Sequence, residues 1–243
     1  MLISAAELIS QSWNLYKSNV TKLSNILLYY ALTSIVITFG LTTMTLKPAL
    51  AIPAFILMCL AFIGLLYSFI TITLACWNII NNQALNWNSL YTLSYKKLGP
   101  TILVGFVTGL IVLGGFILLI IPGFIFAIWY QFAYLIQITS DEKLTVSKAL
   151  SESKSLVVGR FWRTWYLALA PSVIFGLIIG LIGGVIGAII PGSTTDYTNL
   201  AGYAAENLAS IILSAVTAPL IMFPLLLLIK SLKATPVPTV DKI

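Results

Sequence analysis

The sequence predicts an all-α integral membrane protein. It reads as six transmembrane helices arranged as three hairpins, with short cytoplasmic interfacial helices and both termini in the cytoplasm. Three observations predict this. The chain is 59% hydrophobic and 8% charged, with a mean hydropathy of +1.02, outside the range of soluble domains. Five stretches, 23–46, 48–95, 98–140, 164–195 and 207–229, contain no Asp, Glu, Lys or Arg. Twelve of the 13 basic residues fall in segments that six crossings place on one side. A transmembrane barrel is excluded, because a run such as GLIIGLIGGVIGAII does not alternate in polarity.

The elements follow in order. Residues 4–19 read as a first interfacial segment, and 22–46 as the first span, ended by Lys47-Pro48. The leading MLISAAELISQSW has no basic start and carries Glu7 ahead of the apolar run, so it is not read as a cleaved signal. The second span is 52–80. A second interfacial segment, 86–97, precedes the third span, 101–121. The charge-free stretch 98–140 would reach about 64 Å as one helix, twice the hydrocarbon thickness. Ile121-Pro122-Gly123 is the expected break, so 123–139 is the fourth span. A third interfacial helix covers 145–158, with Thr145 as its N-cap, Val146, Leu150, Ser153 and Val157 as one stripe, and Gly159 at its close. The fifth span is 164–190, ended by Ile190-Pro191-Gly192, and the sixth is 205–229. Residues 1–233 form a single polytopic domain, and 234–243 a flexible cytoplasmic tail.

The basic residues on one side are Lys17, Lys22, Lys96, Lys97, Lys143, Lys148, Lys154, Arg160, Arg163, Lys230, Lys233 and Lys242. Lys47 stands alone on the other, with Asp196 and Glu206. The positive-inside rule makes the first side cytoplasmic. The same segments suggest an internal repeat. Ser12, Leu15 and Lys22 align with Ser153, Leu156 and Arg163 without a gap, and the second unit joins through Ser94 and its basic end.

The sequence contains no histidine, and no charged residue near the centre of any span. Proton-coupled transport and intrinsic acid–base catalysis are therefore poor readings. No metal-ligand spacing, phosphate-binding loop or nucleophile elbow occurs, and no cofactor is expected. Cys59 and Cys76 lie within one span and read as buried small hydrophobes rather than a disulfide.

Three groups of residues are candidates for function or assembly. Arg160, Trp162, Arg163 and Trp165, with Lys148 and Lys154, suit contact with anionic headgroups on the cytoplasmic side. Gly105 and Gly109 on the third span, and Gly176, Gly180 and Gly184 on the fifth, have the four-residue spacing of close helix packing, which would centre those two spans in the bundle or serve a homo-oligomer contact. Gln131, deep in the fourth span, could line a cavity or make an interhelical hydrogen bond. The charge points to membrane lipids, a protein partner or a second copy of the chain; nucleic acid is not an expected partner.

The segment from Ile121 to Ala170 carries an IPG turn, an aromatic-rich returning span, the acidic pair Asp141-Glu142, an interfacial Ala149-Leu150…Ser153 helix and the re-entry Gly159-Arg160-Phe161-Trp162-Arg163. In these features it resembles the membrane domain attached to some bacterial glycerophosphoryl diester phosphodiesterases and its stand-alone relatives. That resemblance implies the fold and cytoplasmic termini. It transfers no activity, because the family's catalytic barrel and its metal and acid–base residues have no counterpart here. The leading functional expectation is a non-enzymatic, multi-pass scaffold or accessory subunit of a prokaryotic cytoplasmic membrane. The alternatives are a transport, export or immunity-type component for a neutral or amphipathic solute, and a detached membrane regulatory domain of a lipid-processing enzyme.

Overall fold

The computed structural model describes residues 2–142, 144–189 and 200–235. Lys143, the Ile190-Pro191-Gly192 turn, Asp196 and the tail from 236 onward lie outside them. The described residues are helical and contain no strand. Helix α1 is Ala5–Asn19, α2 Ser24–Leu46, α3 Ala51–Ile80, α4 Trp87–Leu118, α5 Ile120–Tyr130, α6 Ala133–Thr139, α7 Val146–Val157, α8 Phe161–Ile189 and α9 Leu200–Ala234. Six stretches are long and apolar enough to cross a membrane.

Local chemistry sets most of the ends. Thr145 caps α7 by accepting from Lys148 N–H, as expected, and the structure adds two caps: Ser4 accepts from the Glu7 N–H at 3.2 Å for α1, and Asn86 from the Ser89 N–H for α4. Gly159, with φ of 82°, ends the α7 segment in the left-handed region. Lys47 closes α2 directly before Pro48.

The structure departs from the sequence reading at the second unit. Residues 86–97 and 101–121 are not two elements but the single helix α4, which runs through Pro100. The chain then reverses at Leu119, whose backbone is extended, and not at Pro122-Gly123. Pro122 lies in the first turn of α5, where an N–H has no intrahelical acceptor and its absence costs nothing. Gly123 is needed for contact instead. A Cβ there would overlap the Phe116 ring and lie 2.7 Å from Phe116 N, and one on Gly115 would lie 2.9 Å from Gly123 Cα. The expected continuous span 123–139 is broken at Gln131–Phe132 into α5 and α6.

The centre of the molecule also differs from expectation. Gly105, Gly109, Gly176, Gly180 and Gly184 each face open space, so a methyl group added at any of them would meet nothing within 4 Å. Within the chain they therefore pack against no helix backbone. The helices that carry them, α4 and α8, are the least buried of the apolar stretches, whereas half of the most apolar part of α9 is buried. The reason is side-chain shape. Phe223, Leu226, Leu228, Ile229 and Leu232 of α9 share one buried cluster with Ile70, Ile72, Leu74, Ala75 and Cys76 of α3 and Leu135, Ile136 and Ile138 of α6, with α3 packing on both. A bare glycine face offers no comparable contact area. Leu8, Leu23 and Ile26, all fully buried, complete this core.

Gly123→Ala should lower the midpoint of thermal unfolding in detergent, by overpacking worth about 1–3 kcal/mol. Gly180→Ala should leave it unchanged or raise it, since the added methyl meets nothing and alanine favours helix by about 1 kcal/mol. A loss at Gly180 would restore a packing role for the glycine stripe.

Candidate functional site

The last carbonyls of a helix lack intrahelical donors, and its C-terminus carries a partial negative charge. Three helices of this bundle, α3, α6 and α9, meet that need with a cation from elsewhere in the chain. Lys230 Nζ on α9 donates to Ile80 O, the last residue of α3, at 3.0 Å. Lys97 Nζ on α4 donates to Gln137 O at 3.1 Å and to Ser140 O at the end of α6. Arg160, between α7 and α8, is the most heavily committed. Its Nε donates to Leu156 O at 2.9 Å, Nη2 to Leu232 O at 2.9 Å, and Nη1 to Thr235 O and Thr235 Oγ1. One guanidinium thus closes α7 and α9 together. Burial lowers its pKa from the ordinary guanidinium value, yet it stays a cation at neutral pH.

Arg160, expected at the lipid headgroups, thus directs these donors within the chain, to backbone carbonyls and the Thr235 hydroxyl. The other basic and aromatic candidates remain at the surface. Lys148 has 62% of its side chain exposed, and its partner is the equally open Glu142 at 3.5 Å. Lys154 lies over the Trp129 ring, 4.3 Å from its centroid. Arg163 is exposed, with a long 3.5 Å contact to Leu2 O. Trp162 is 70% exposed, Trp165 is half-buried, and both stack edge-on with Phe161 or Phe124.

Three serines tie the interfacial segments to the core. Ser153 Oγ donates to Trp129 O at 2.7 Å and accepts from Phe132 N–H at 3.3 Å, so it supplies the backbone partners that the α5–α6 break leaves over. Ser94 Oγ pairs with Thr71 Oγ1 at 2.8 Å, joining α4 to α3. Ser12, also fully buried, sits on α1, which packs along α9. The start of the chain is held at the same end by Ile3 N–H, which donates to Ser231 Oγ at 3.2 Å. The buried stripe of α7 is Ala149, Ser153, Leu156 and Val157, rotated from the expected one, with Val146 and Leu150 at its margin.

Gln131 is placed at the α5–α6 break, half-buried, with its Nε2 buried and unpartnered. A cavity of about 580 Å³ opens elsewhere, between α8 and α9 and bordered by α2 and α3. Gly176, Gly183 and Gly187 leave space on one wall, while Glu206, Ser210, Ser214 and Thr217 form a stripe on the other. Glu206 Oε2 is buried without a hydrogen-bond partner. Gln131 is not among the lining residues. Sequence reasoning missed Lys97, Lys230 and Glu206 as individually placed groups. The only signal was their position at span ends, which the positive-inside rule already explains. No family model, curated protein or solved structure matches the chain.

Arg160→Ala should destabilise the protein by more than a typical surface change, on the order of 2–3 kcal/mol for loss of charge-assisted bonds to buried carbonyls. Arg160→Lys should recover only part of this, because one ammonium cannot span both helix ends. Thermal unfolding of the two variants checks the order; equal stability of Arg160→Ala and the parent would remove the clamp.

Proposed function

We propose that the protein is a non-enzymatic integral membrane protein, a scaffold or accessory subunit whose clamped end faces the cytoplasm of a prokaryotic cell and touches anionic lipid headgroups. The helix pairs α2–α3, α4–α5 and α8–α9 act as three hairpins, with α1, the start of α4 and α7 as cytoplasmic segments and both termini inside. The support for sidedness is the charge partition: with the chain crossing in complete hairpins and Lys47 outside, the other twelve basic residues lie within. The resemblance to a phosphodiesterase membrane domain enters this proposal as a relation of fold alone.

One observation carries the lipid-facing reading. Once Lys97, Arg160 and Lys230 are committed to helix ends, Lys148, Lys154 and Arg163 are left on the surface beside exposed Trp162. Indole rings settle at headgroup depth, and guanidinium and ammonium groups meet lipid phosphates there. Each such cation near an anionic leaflet is worth about 1 kcal/mol.

The cavity between α8 and α9 favours a second reading. An apolar space of about 580 Å³ with one carboxylate suits the amphipathic solute of a transport, export or immunity component.

Mass spectrometry of lipid retained through purification separates the two. The triple variant Lys148→Glu, Lys154→Glu, Arg163→Glu should lose most of the anionic phospholipid that the parent retains, while the cavity-filling Gly183→Leu should retain it. The opposite pattern would move the working site to the cavity, and retention by both would sink the headgroup contact.

A further inference from the structure

The depth of each helix in a bilayer follows from its length. A crossing takes about 20 residues. Counted inward from Leu46 and Ala51, the outer ends of α2 and α3, this reaches Ile26 and Thr71. The outer parts of α2, α3 and α8 expose Leu32, Phe39, Phe55, Leu181 and Ile189. On α2 and α3 the fully packed core begins where the count ends, at Ile26 and Ile70, and on α9 it includes Phe223, Leu226 and Leu228. The core thus lies at the inner membrane boundary and below it.

Ser94 meets Thr71 at that boundary, so α4 is already there one turn before Lys97. Helix α4 packs on α3, α6 and α7, and α5 on α7 and α8, whereas neither packs along α2 or α9. Val104 packs with Ala133 and Ala149, and Val107 shares a groove with Val146, Leu150 and Lys154. On the return, Trp129 meets Ser153 and Lys154, and Phe124 stacks on Phe161 and Trp165. Ile121, two residues from the reversal at Leu119, shares a groove with Val158 and Trp162. Helix α7 therefore lies against α4 at Val104 and Val107 and against α5 at Trp129, and the turn from α7 into α8 covers Phe124 and Ile121.

Helix α7 exposes Ser147, Lys148, Ser151 and Ser155, and its Glu152 pairs with Lys233 at 2.8 Å. If α4–α5 crossed the bilayer, α7 would lie within it. Lys148, Glu152 and Lys154 would then sit in hydrocarbon, where every charge is costly. Arg160 would also be carried to the far surface, although it is bound to Leu232 and Thr235 at the inner end of α9. Neither placement is tenable.

We propose that the α4–α5 hairpin does not cross the membrane. It lies in the inner leaflet as an apolar wedge, with α7 as its water-facing cover, and only α2, α3, α8 and α9 cross. Its lipid contacts are Phe106, Leu110, Leu113 and the tip Ile117–Ile121, whose residues are 67–77% exposed. The occupant of this face is the acyl region of one leaflet, rimmed by the cations Lys148, Lys154 and Arg163. Four crossings preserve the twelve-to-one charge partition as well as six do, because the segments on either side of a complete hairpin share one face whether or not it crosses.

The test is sidedness of the tip. In a Cys59→Ala background, with Cys76 fully buried, an NBD fluorophore is attached at Leu119→Cys and, separately, at the still more open Ile117→Cys. Lys148→Cys and Lys47→Cys define the two faces. Dithionite, which does not cross the bilayer, is added to sealed vesicles of each orientation. Loss of tip fluorescence from the Lys148 side, with protection from the Lys47 side, is the expected result. Loss from the Lys47 side, or protection from both, overturns the wedge. The wedge rests on the lipid-facing end proposed above, but labelling reads sidedness alone and lipid retention reads headgroup contact, so the two fail separately.

Discussion

A helix that ends in a packed place must find donors for its last carbonyls, and the rest of this structure depends on how α3, α6 and α9 do so. In water these groups hydrate at little cost; at the base of a bundle they do not. Lys230, Lys97 and Arg160 meet the requirement with charge, which also opposes the partial negative end of each helix. Each cation belongs to a different helix from the end it closes. Lys230 couples α9 to α3, Lys97 couples α4 to α6, and Arg160 couples the α7–α8 corner to α9. The clamps fix the helix ends in register, and the Leu, Ile and Phe side chains just above them pack on that frame.

That arrangement explains why burial is so uneven. Lipid tails are as apolar as leucine, so the outer lengths of α2, α3, α8 and α9 gain little by packing tightly. In a bilayer their exposed Phe39, Phe55 and Leu181 are solvated by acyl chains. At the boundary the solvent changes, backbone ends appear, and side-chain area removed from water is again worth about 25 cal/mol per Å². The dense core sits there. Rigidity and surface charge therefore coincide at one end of the molecule, the property a scaffold or accessory subunit needs.

Some of this was legible in the sequence, and the limits are physical. Pro48, Gly159 and the Thr145 cap act through local backbone chemistry, so each was readable in place. The sequence singled out Ser12, Ser94 and Ser153 by their alignment alone, and all three are fully buried. The glycine stripes face open space within this chain. Spacing of four shows that a backbone can be approached, not that anything approaches it; Gly115 and Gly123, which do touch, belong to no stripe. Arg160 was ambiguous for another reason. A cation beside aromatic residues at a membrane boundary has the same sequence signature whether its partner is a phosphate or a carbonyl 72 residues away. The break at Gln131–Phe132 left no trace in the apolar run, because its freed backbone groups are satisfied by Ser153 from a later helix.

The serines also show why α1 matters to the whole. Ser94 lies four residues after buried Leu90 and packs on α3; Ser153 lies four after buried Ala149 and packs on the α5–α6 break; Ser12 lies four after buried Leu8, on the helix that packs along α9. In each case a segment leading into a helix pair rests on a helix that returns from another pair. For the second and third units that helix is the preceding one in the chain. For the first it is the last, α9, so the series closes on itself instead of ending with an uncovered face. Ser94 and Ser153 have hydrogen-bond partners, whereas the Ser12 hydroxyl is buried without one. Its place is better explained by size than by hydrogen bonding, since a small side chain lets the fully buried face of α1 that carries Leu8 pack closely. A helix that looks peripheral in the sequence, short and barely apolar, thus completes the core that Lys230 and Arg160 hold at its base.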